Sequence, residues 1–240
     1  MLYLIRHAQS EMNLAASDWI RDHPGDLSVH WDLRLVDADL TNLGASQVSD
    51  NRPLAQSLSL TKVYVSPLRR ALKTCHGLFN GHPDSPEVLV EPLMTEIISD
   101  CGDLSRGNFA WYRDFSHYDW SALDSLNSNY WMFDILSTPH MSEVEVHSKS
   151  RDDVHEIAGE VMRRITPEVF EGEKWARARV EAMRDLVLSD LEQGEEVALV
   201  GHSDFFKLFA KLFDPSHVLM LQNCQILPFP VTLLDQSPHL

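Results

Sequence analysis

The chain of 240 residues has few cysteines, no excess of positive charge and no long apolar run. Its three cysteines, Cys75, Cys101 and Cys224, have neither the spacing of a disulfide framework nor that of a metal site. We therefore expect the protein to reside in a reducing compartment. The formal net charge of -16 should repel nucleic acid and anionic membrane. Because no run is long enough to span a bilayer and no signal peptide precedes the first predicted strand, we expect a cytoplasmic protein without nucleic-acid or membrane partners.

The composition is that of a globular protein, with 44% hydrophobic and 23% charged residues. Apolar runs that predict strands alternate with segments that predict helices, which favours an α/β fold with a mostly parallel sheet sandwiched by helices. We predict a single domain over residues 1–240, with an insertion at about 99–150 after the third strand. This insertion is rich in aromatic residues, which bury large areas, so we expect it to cap the sheet edge.

The secondary structure can be predicted from short patterns. The predicted strands are Leu2–Ile5, Lys62–Val65, Val88–Val90 and Val197–Val200, with short terminal strands at 224–227 and 231–234. The predicted helices are 13–21, 41–58, a helix with Pro67 in its first turn, 152–165, 173–192 and a helix ending near 213. Thr41 is a suitable N-cap for the second of these helices, with Leu43, Val48, Leu54 and Leu58 as its inner face.

Polar residues follow three predicted strands at the point where each strand ends. Arg6 and His7 follow the first strand, an arginine pair follows the second, and His202 follows the fourth. Ligands of open α/β sheets bind outside the carboxyl ends of strands, and helix N-termini there favour anions. The strand ends therefore predict an anion site, although an Arg-His pair on a surface loop is the alternative.

The second strand end carries adjacent arginines, Arg69 and Arg70, near the start of a predicted helix. Only one of them is expected to face the site, and the spacing favours Arg69; a solvated pair is the alternative. Glu96 lies between apolar neighbours, where a carboxylate is expected only if it is paired or functional. A structural salt bridge would also account for Glu96.

Together these motifs resemble the histidine phosphatase superfamily, which has the phosphoglycerate mutase-like fold. Five parts of the family pattern occur in the family's order, between Met1 and about Phe213. The family's Arg-His-Gly turn with a following Ser and Asn is matched by Arg6-His7-Ala8, Ser10 and Asn13. The family's Leu-Thr-x-x-Gly-x-x-Gln pattern is matched by Leu40–Gln47, and its Ser-Pro-Leu-x-Arg-Ala-x-x-Thr pattern by Ser66–Thr74. Its acidic residue is matched by Glu96, and its His-Gly pair by His202-Ser203. Ala8 and Ser203 replace family glycines, and these turns should survive unless they require a positive φ.

The resemblance implies a phosphatase that acts on a phosphomonoester without a metal or other cofactor. In that case His7 is the nucleophile and carries the phosphoryl group, while Arg6 and Arg69 bind its oxygens. Glu96 protonates the leaving group and then activates water, and His202 gives a further donor. Ser10, Asn13 and Ser203 are expected to contact the substrate phosphate.

The substrate would be a small phosphorylated metabolite or a phosphoprotein, and the sequence assigns no oligomeric state. One alternative is a mutase, but glycolytic mutases of the family carry Arg and Tyr where this chain has Ile97 and Ile98. A second alternative is a catalytically weak module that binds phospho-ligands. A third is a metal site at His7 and His202, which the adjacent arginines oppose because they repel a cation.

Overall fold

A five-stranded mixed sheet organises the computed structural model, which describes residues 1–105, 114–126, 131–132 and 173–231. The strands are β1 (Leu2–Arg6), β2 (Lys62–Val65), β3 (Glu87–Val90), β4 (Val197–Gly201) and β5 (Ile226–Phe229). Their order across the sheet is β3-β2-β4-β1-β5. The first four strands are parallel, and β5 runs antiparallel to β1. This is the mostly parallel α/β sheet that the sequence predicts.

Helices connect these strands. The α-helices in the described residues are α1 (Glu11–Asp22), α2 (Asn42–Ala55), α3 (Arg69–Phe79), α4 (Ser121–Asp124), α5 (Glu173–Glu192) and α6 (Ser203–Lys211). Short 3-10 turns lie at Ser28–Trp31, Leu33–Leu35, Pro92–Met94 and Cys101–Asp103. No helix in the described ranges has both the length and the apolar character needed to cross a membrane.

The strand register brings the three predicted polar strand ends together. Arg6 pairs with Gly201 across β1 and β4, so His7 and His202 leave adjacent strands at the same edge. Val65 pairs with Val200 across β2 and β4, which places the start of the β2–α3 connection beside them. Parallel pairing thus creates one site from segments that are distant in sequence.

The sheet packs helices on both faces because side chains alternate along each strand. Leu2 and Leu4 of β1 lie in one core cluster with residues of α5 and α6. Ile5 lies in the other cluster with residues of α2 and α3. The expected sandwich of sheet between helices is therefore confirmed.

Helix α2 begins as predicted, and part of its predicted inner face is buried, since Val48 lies in the core and Leu58 packs against it. The Thr41 side chain accepts the Gly44 N–H at 2.9 Å, which confirms the N-cap. Leu43 and Leu54, predicted to face inward, are 54% and 51% exposed. The reason is the close approach of Gly44 to the backbone of Gln9, where an added Cβ would lie 2.2 Å from the carbonyl oxygen. This contact orients the helix by Gly44 rather than by its leucines.

Several element ends differ from the prediction. Helix α1 begins two residues earlier, because Ser10 and Asn13 form a reciprocal capping box. Pro67 precedes α3, whose N-cap is Leu68. Strand β5 is shifted toward the C-terminus relative to the predicted 224–227. The helix predicted at 152–165 and nearly all of the strand predicted at 231–234 lie outside the described residues.

Part of the aromatic segment contacts the sheet edge. Asp119 forms a parallel bridge with Leu89 of β3, and its carbonyl accepts the Val90 N–H at 2.8 Å. Phe115 and Tyr118 are buried in the core cluster that includes α3. These described residues lie as expected for a cap on β3, while 106–113, 127–130 and 133–150 lie outside the described part of the chain.

Candidate functional site

A cavity of about 300 Å³ opens at the carboxyl ends of β1 and β4. Its lining includes seven of the residues considered from sequence: Arg6, His7, Ser10, Asn13, Arg70, Glu96 and Ser203. Asp100, Asp103, Asp204, Lys207 and Met220 also line it. A wider groove of about 870 Å³ beside α1 contains none of the predicted site residues. The chemistry suggested by sequence therefore belongs to the smaller cavity.

His7 is buried, and its two ring nitrogens have different partners. Nδ1 lies 2.7 Å from the Ala8 carbonyl oxygen, which can only accept, so Nδ1 carries the proton. Nε2 accepts a hydrogen bond from Arg70 Nε at 3.2 Å. Burial, and after it the charge of Arg70, holds the pKa of His7 well below its ordinary value. The hydrogen bond to the Ala8 carbonyl acts in the opposite direction and raises this pKa. The imidazole is thus neutral, with its lone pair on Nε2.

Arg70, and not Arg69, lies beside His7, which corrects the prediction from sequence. Arg70 is buried and also donates to the Gly102 carbonyl and, at 2.8 Å, to Asp103 Oδ1. The Arg69 side chain instead pairs with Asp39 at 2.7 Å and does not line the cavity. Adjacent helical residues point about 100° apart, so one cavity receives only one of them.

Arg6 supplies a second cation to the cavity. Its Nη1 donates to the Leu221 carbonyl at 2.8 Å. Its Nε is buried and has no hydrogen-bond partner among the described residues. Burial lowers the pKa of Arg6, whereas the charges of Glu96 and Asp204 raise it, and a guanidinium remains protonated over the physiological range. Arg6 can therefore donate to an anion in the cavity.

His202 lies beside His7 but does not line the cavity. Its ring centroid is 5.1 Å from that of His7, and its Nε2 lies 2.7 Å from Ser66 Oγ. Burial, followed by the charge of Arg70, holds the pKa of His202 well below its ordinary value. The positive charge of Arg70 therefore opposes protonation of His202.

Glu96 lines the cavity and binds the N-terminus of α6. Its Oε1 accepts the N–H groups of Ile97 and Phe205 at 2.9 and 2.8 Å, and its Oε2 accepts that of Asp204 at 3.1 Å. Burial, followed by the charge of Asp204, raises the pKa of Glu96, while the three N–H donors oppose this rise. Within the described residues no cation pairs with Glu96, so the salt-bridge alternative is not observed.

Ser10 and Asn13 line the cavity as parts of the α1 cap. The Ser10 hydroxyl accepts the Asn13 N–H, and Asn13 Oδ1 accepts the Ser10 N–H, both at 3.2 Å. Ser203 is the first residue of α6 and also lines the cavity. The cavity therefore combines a helix N-terminus with arginine donors, a combination that binds anions.

A model of the histidine phosphatase superfamily (branch 1) matches residues 2–106, the part of the chain that contains Arg6, His7, Arg70 and Glu96. This part of the chain is therefore similar to the histidine phosphatase superfamily. "Phosphoglycerate mutase-like protein 1" of Arabidopsis thaliana is 36% identical over 111 residues, which are 44% of this chain and 35% of that protein. A second Arabidopsis thaliana "phosphoglycerate mutase-like protein" is 32% identical over 109 residues, 44% of this chain and 36% of the relative. Both alignments thus span little more than a third of the relatives' length.

The fold agrees with that of a solved structure. The crystal structure of phosphoglycerate mutase from Bacillus anthracis superposes with a TM-score of 0.51 at 15% identity, covering 94% of this chain and 85% of that one. At this identity the similarity concerns the fold alone. It confirms the phosphoglycerate mutase-like α/β architecture expected from the sequence.

Two departures from the superfamily pattern are accommodated. Ala8 and Ser203 stand at positions of family glycines, and neither has a positive φ. The Ala8 N–H donates to Thr74 Oγ1 at 3.0 Å, so the backbone of the turn after β1 is held by α3. Alanine and serine fit these turns without strain.

The sequence contained a signal for Arg70 that residue spacing alone did not reveal. In the superfamily pattern Ser-Pro-Leu-x-Arg-Ala, the Arg directly precedes Ala, and here Arg70 directly precedes Ala71. Asp103 is a further residue of the cavity wall. It is buried and accepts from Arg70, Ser99 and Asp100, and burial followed by the charge of Asp100 raises its pKa well above the ordinary value.

The structure offers no support for the metal-site alternative. His7 and His202 converge, but Arg70 lies directly against His7. Within the described ranges, no group of three or more His, Cys, Asp or Glu side chains is placed to hold a metal ion.

Proposed function

We propose that this chain is a metal-independent phosphatase that hydrolyses phosphomonoesters through a phosphohistidine at His7. One observation carries the proposal: the unprotonated His7 Nε2 lies in the same cavity as the guanidinium groups of Arg70 and Arg6. A neutral imidazole is a nucleophile, and guanidinium groups bind and neutralise phosphoryl oxygens. A module that only binds phospho-ligands would need the arginine cations. It would not need an imidazole whose unprotonated nitrogen faces the same cavity.

In the first step, the His7 Nε2 lone pair forms a bond to phosphorus as the bond from phosphorus to the ester oxygen breaks. The Arg70 Nε–H, which donates a hydrogen bond to Nε2 in the free protein, now donates that hydrogen bond to a phosphoryl oxygen, and Arg70 keeps its proton. Glu96 gives its proton to the departing oxygen, a contribution of about 10²–10⁴-fold in rate. The raised pKa of Glu96 favours the protonated carboxyl that this step requires.

In the second step, the Glu96 carboxylate takes a proton from water, whose oxygen attacks phosphorus. The bond between phosphorus and Nε2 breaks, and His7 regains its lone pair as inorganic phosphate leaves. The three N–H groups that bind the carboxylate stabilise the charged form needed at this stage. Burial and hydrogen bonding thus suit Glu96 to both protonation states.

A mutase would use the same first step and return the phosphoryl group to a second substrate oxygen. Ile97 and Ile98, at the positions where glycolytic mutases carry Arg and Tyr, are both buried. They offer no charged or hydroxyl group to a second part of the substrate. This observation favours water as the acceptor of the phosphoryl group.

The test is a screen of phosphorylated metabolites and phosphopeptides in the presence of EDTA, with released phosphate and the organic product both measured. We expect stoichiometric release of phosphate and dephosphorylated product. Transfer to a second position of the substrate, or a requirement for a bisphosphate, would show a mutase. Saturable binding without turnover across the screen would show a binding module.

A further inference from the structure

We propose that Asn223 is a positioning residue that orients the Asn13 amide for phosphoryl binding and holds the backbone of His7. The proposal rests on the phosphatase function above and extends it to a loop outside the matched residues 2–106. Asn223 does not line the cavity, so it acts through residues that do.

The loop between α6 and β5 is attached to the end of β1 at several points. Leu221 provides the carbonyl that accepts from the Arg6 side chain at 2.8 Å. The Cys224 N–H lies 3.1 Å from the Arg6 carbonyl oxygen and 3.2 Å from that of His7. Cys224 adopts a φ of 60°, a conformation uncommon for residues with a side chain. The loop is thus held against the two residues that begin the site.

Asn223 adds side-chain contacts to this attachment. Its Nδ2 lies 3.2 Å from the His7 carbonyl oxygen and 3.2 Å from Asn13 Oδ1. An amide nitrogen carries two hydrogens, so Asn223 can donate to both oxygens at once. The Asn223 side chain therefore links the backbone of His7 to Asn13 in the cavity wall. Asn13 lies 210 positions before Asn223 in the sequence.

These contacts determine which way the Asn13 amide points. Asn13 Oδ1 accepts from Asn223 Nδ2 and also from the Ser10 N–H, which uses both lone pairs of the oxygen. The Nδ2 group of Asn13 is then the end of the amide available to a ligand in the cavity. Its two N–H donors suit a phosphoryl oxygen, whereas a flipped amide would present an oxygen that repels one.

The experiment measures orthovanadate binding together with kcat and KM for an aryl phosphate. The variants are Asn223→Ala, the isosteric Asn223→Asp, and Gln222→Ala as a matched control on the exposed neighbour in the same loop. We expect Asn223→Ala to bind vanadate about tenfold more weakly, the effect of one hydrogen bond. Asn223→Asp should bind at least as weakly, because it replaces the donor with an acceptor. Gln222→Ala should match the unsubstituted protein.

A double-mutant cycle with Asn13→Ala separates positioning from general stability. If Asn223 acts through Asn13, its substitution should weaken vanadate binding much less in the Asn13→Ala background than in the unsubstituted one. Additive effects, or a lower melting temperature with unchanged vanadate affinity, would overturn the inference. Vanadate bound normally by Asn223→Asp would also overturn it. An unsubstituted protein that binds no vanadate would overturn the proposed function itself.

Discussion

Arg70 Nε lies 3.2 Å from His7 Nε2, so the nitrogen that would attack phosphorus already accepts a hydrogen bond from a cation. This contact disfavours protonation of the imidazole, since a second positive charge would adjoin the first. Two further groups, the Gly102 carbonyl and Asp103 Oδ1, hold the other guanidinium nitrogens. A phosphoryl group that enters the cavity must replace His7 as the acceptor of the Nε–H. In the proposed mechanism, Arg70 thus disfavours protonation of His7 before substrate binds and contacts the phosphoryl group afterwards.

The first prediction distinguishes the two arginines. Arg70→Ala should weaken vanadate binding by about 10²-fold or more, because it removes charge-assisted hydrogen bonds worth about 1.5 kcal/mol or more each. Arg69→Ala should leave binding nearly unchanged and cost at most about 1 kcal/mol of stability through its ion pair with Asp39. Titration with vanadate and urea unfolding measure the two effects. A larger binding loss for Arg69→Ala would restore the assignment made from sequence.

The second prediction concerns the covalent intermediate. Substrate labelled in the phosphoryl group should leave an acid-labile, base-stable label on the protein after rapid denaturation in alkali. His7→Ala should abolish this label because the attacking nitrogen is gone. His23→Ala is the control, since His23 is exposed and does not line the cavity. A label of full intensity on His7→Ala protein would exclude His7 as the phosphoryl carrier.

The third prediction tests the carboxyl at Glu96. Glu96→Gln should phosphorylate nearly normally with an aryl phosphate but about 10²-fold or more slowly with an alkyl phosphate, which needs a proton donor. Phosphohistidine should then accumulate, because activation of water still needs a base. Rapid-quench kinetics with both substrates measure these rates.

Glu91→Gln is the matched control for Glu96, because Glu91 is also a buried carboxyl but does not line the cavity. Glu96→Gln should also lose about 1 kcal/mol of stability, since its amide nitrogen cannot accept from the α6 N–H groups. Unchanged phosphorylation and turnover with both substrates would make Glu96 a structural carboxylate.

The fourth prediction is a dependence of stability on pH from His202. Its pKa is held well below the ordinary value of 6.5, so below about pH 6.5 the unfolded chain binds a proton that the folded protein does not. Stability should therefore fall as pH falls, by up to about 1.4 kcal/mol per pH unit for this group. Urea unfolding at pH 7.5, 6.5 and 5.5 should show a shallower dependence for His202→Gln. Parallel pH curves for the two proteins would contradict a buried neutral imidazole.

The sequence determined the features that depend on neighbouring residues. Apolar runs mark β1, β2 and β4, and Thr41 caps α2 because its hydroxyl reaches an N–H three residues ahead. The placement of Arg6 and His7 at a strand end also follows from short patterns. These features are local, so a few residues specify them whatever the rest of the chain does.

Only the tertiary structure decided which side chains meet. Arg70 rather than Arg69 faces His7 because Asp37 accepts the Arg69 N–H at 2.8 Å where α3 begins, and the following helical residue then points about 100° away. Asn223 reaches Asn13 because β5 pairs antiparallel with β1 and returns the preceding loop to the end of β1. The rotation of α3 about its axis and the path of the loop before β5 both depend on packing between distant segments. A short sequence pattern contains no information about such packing.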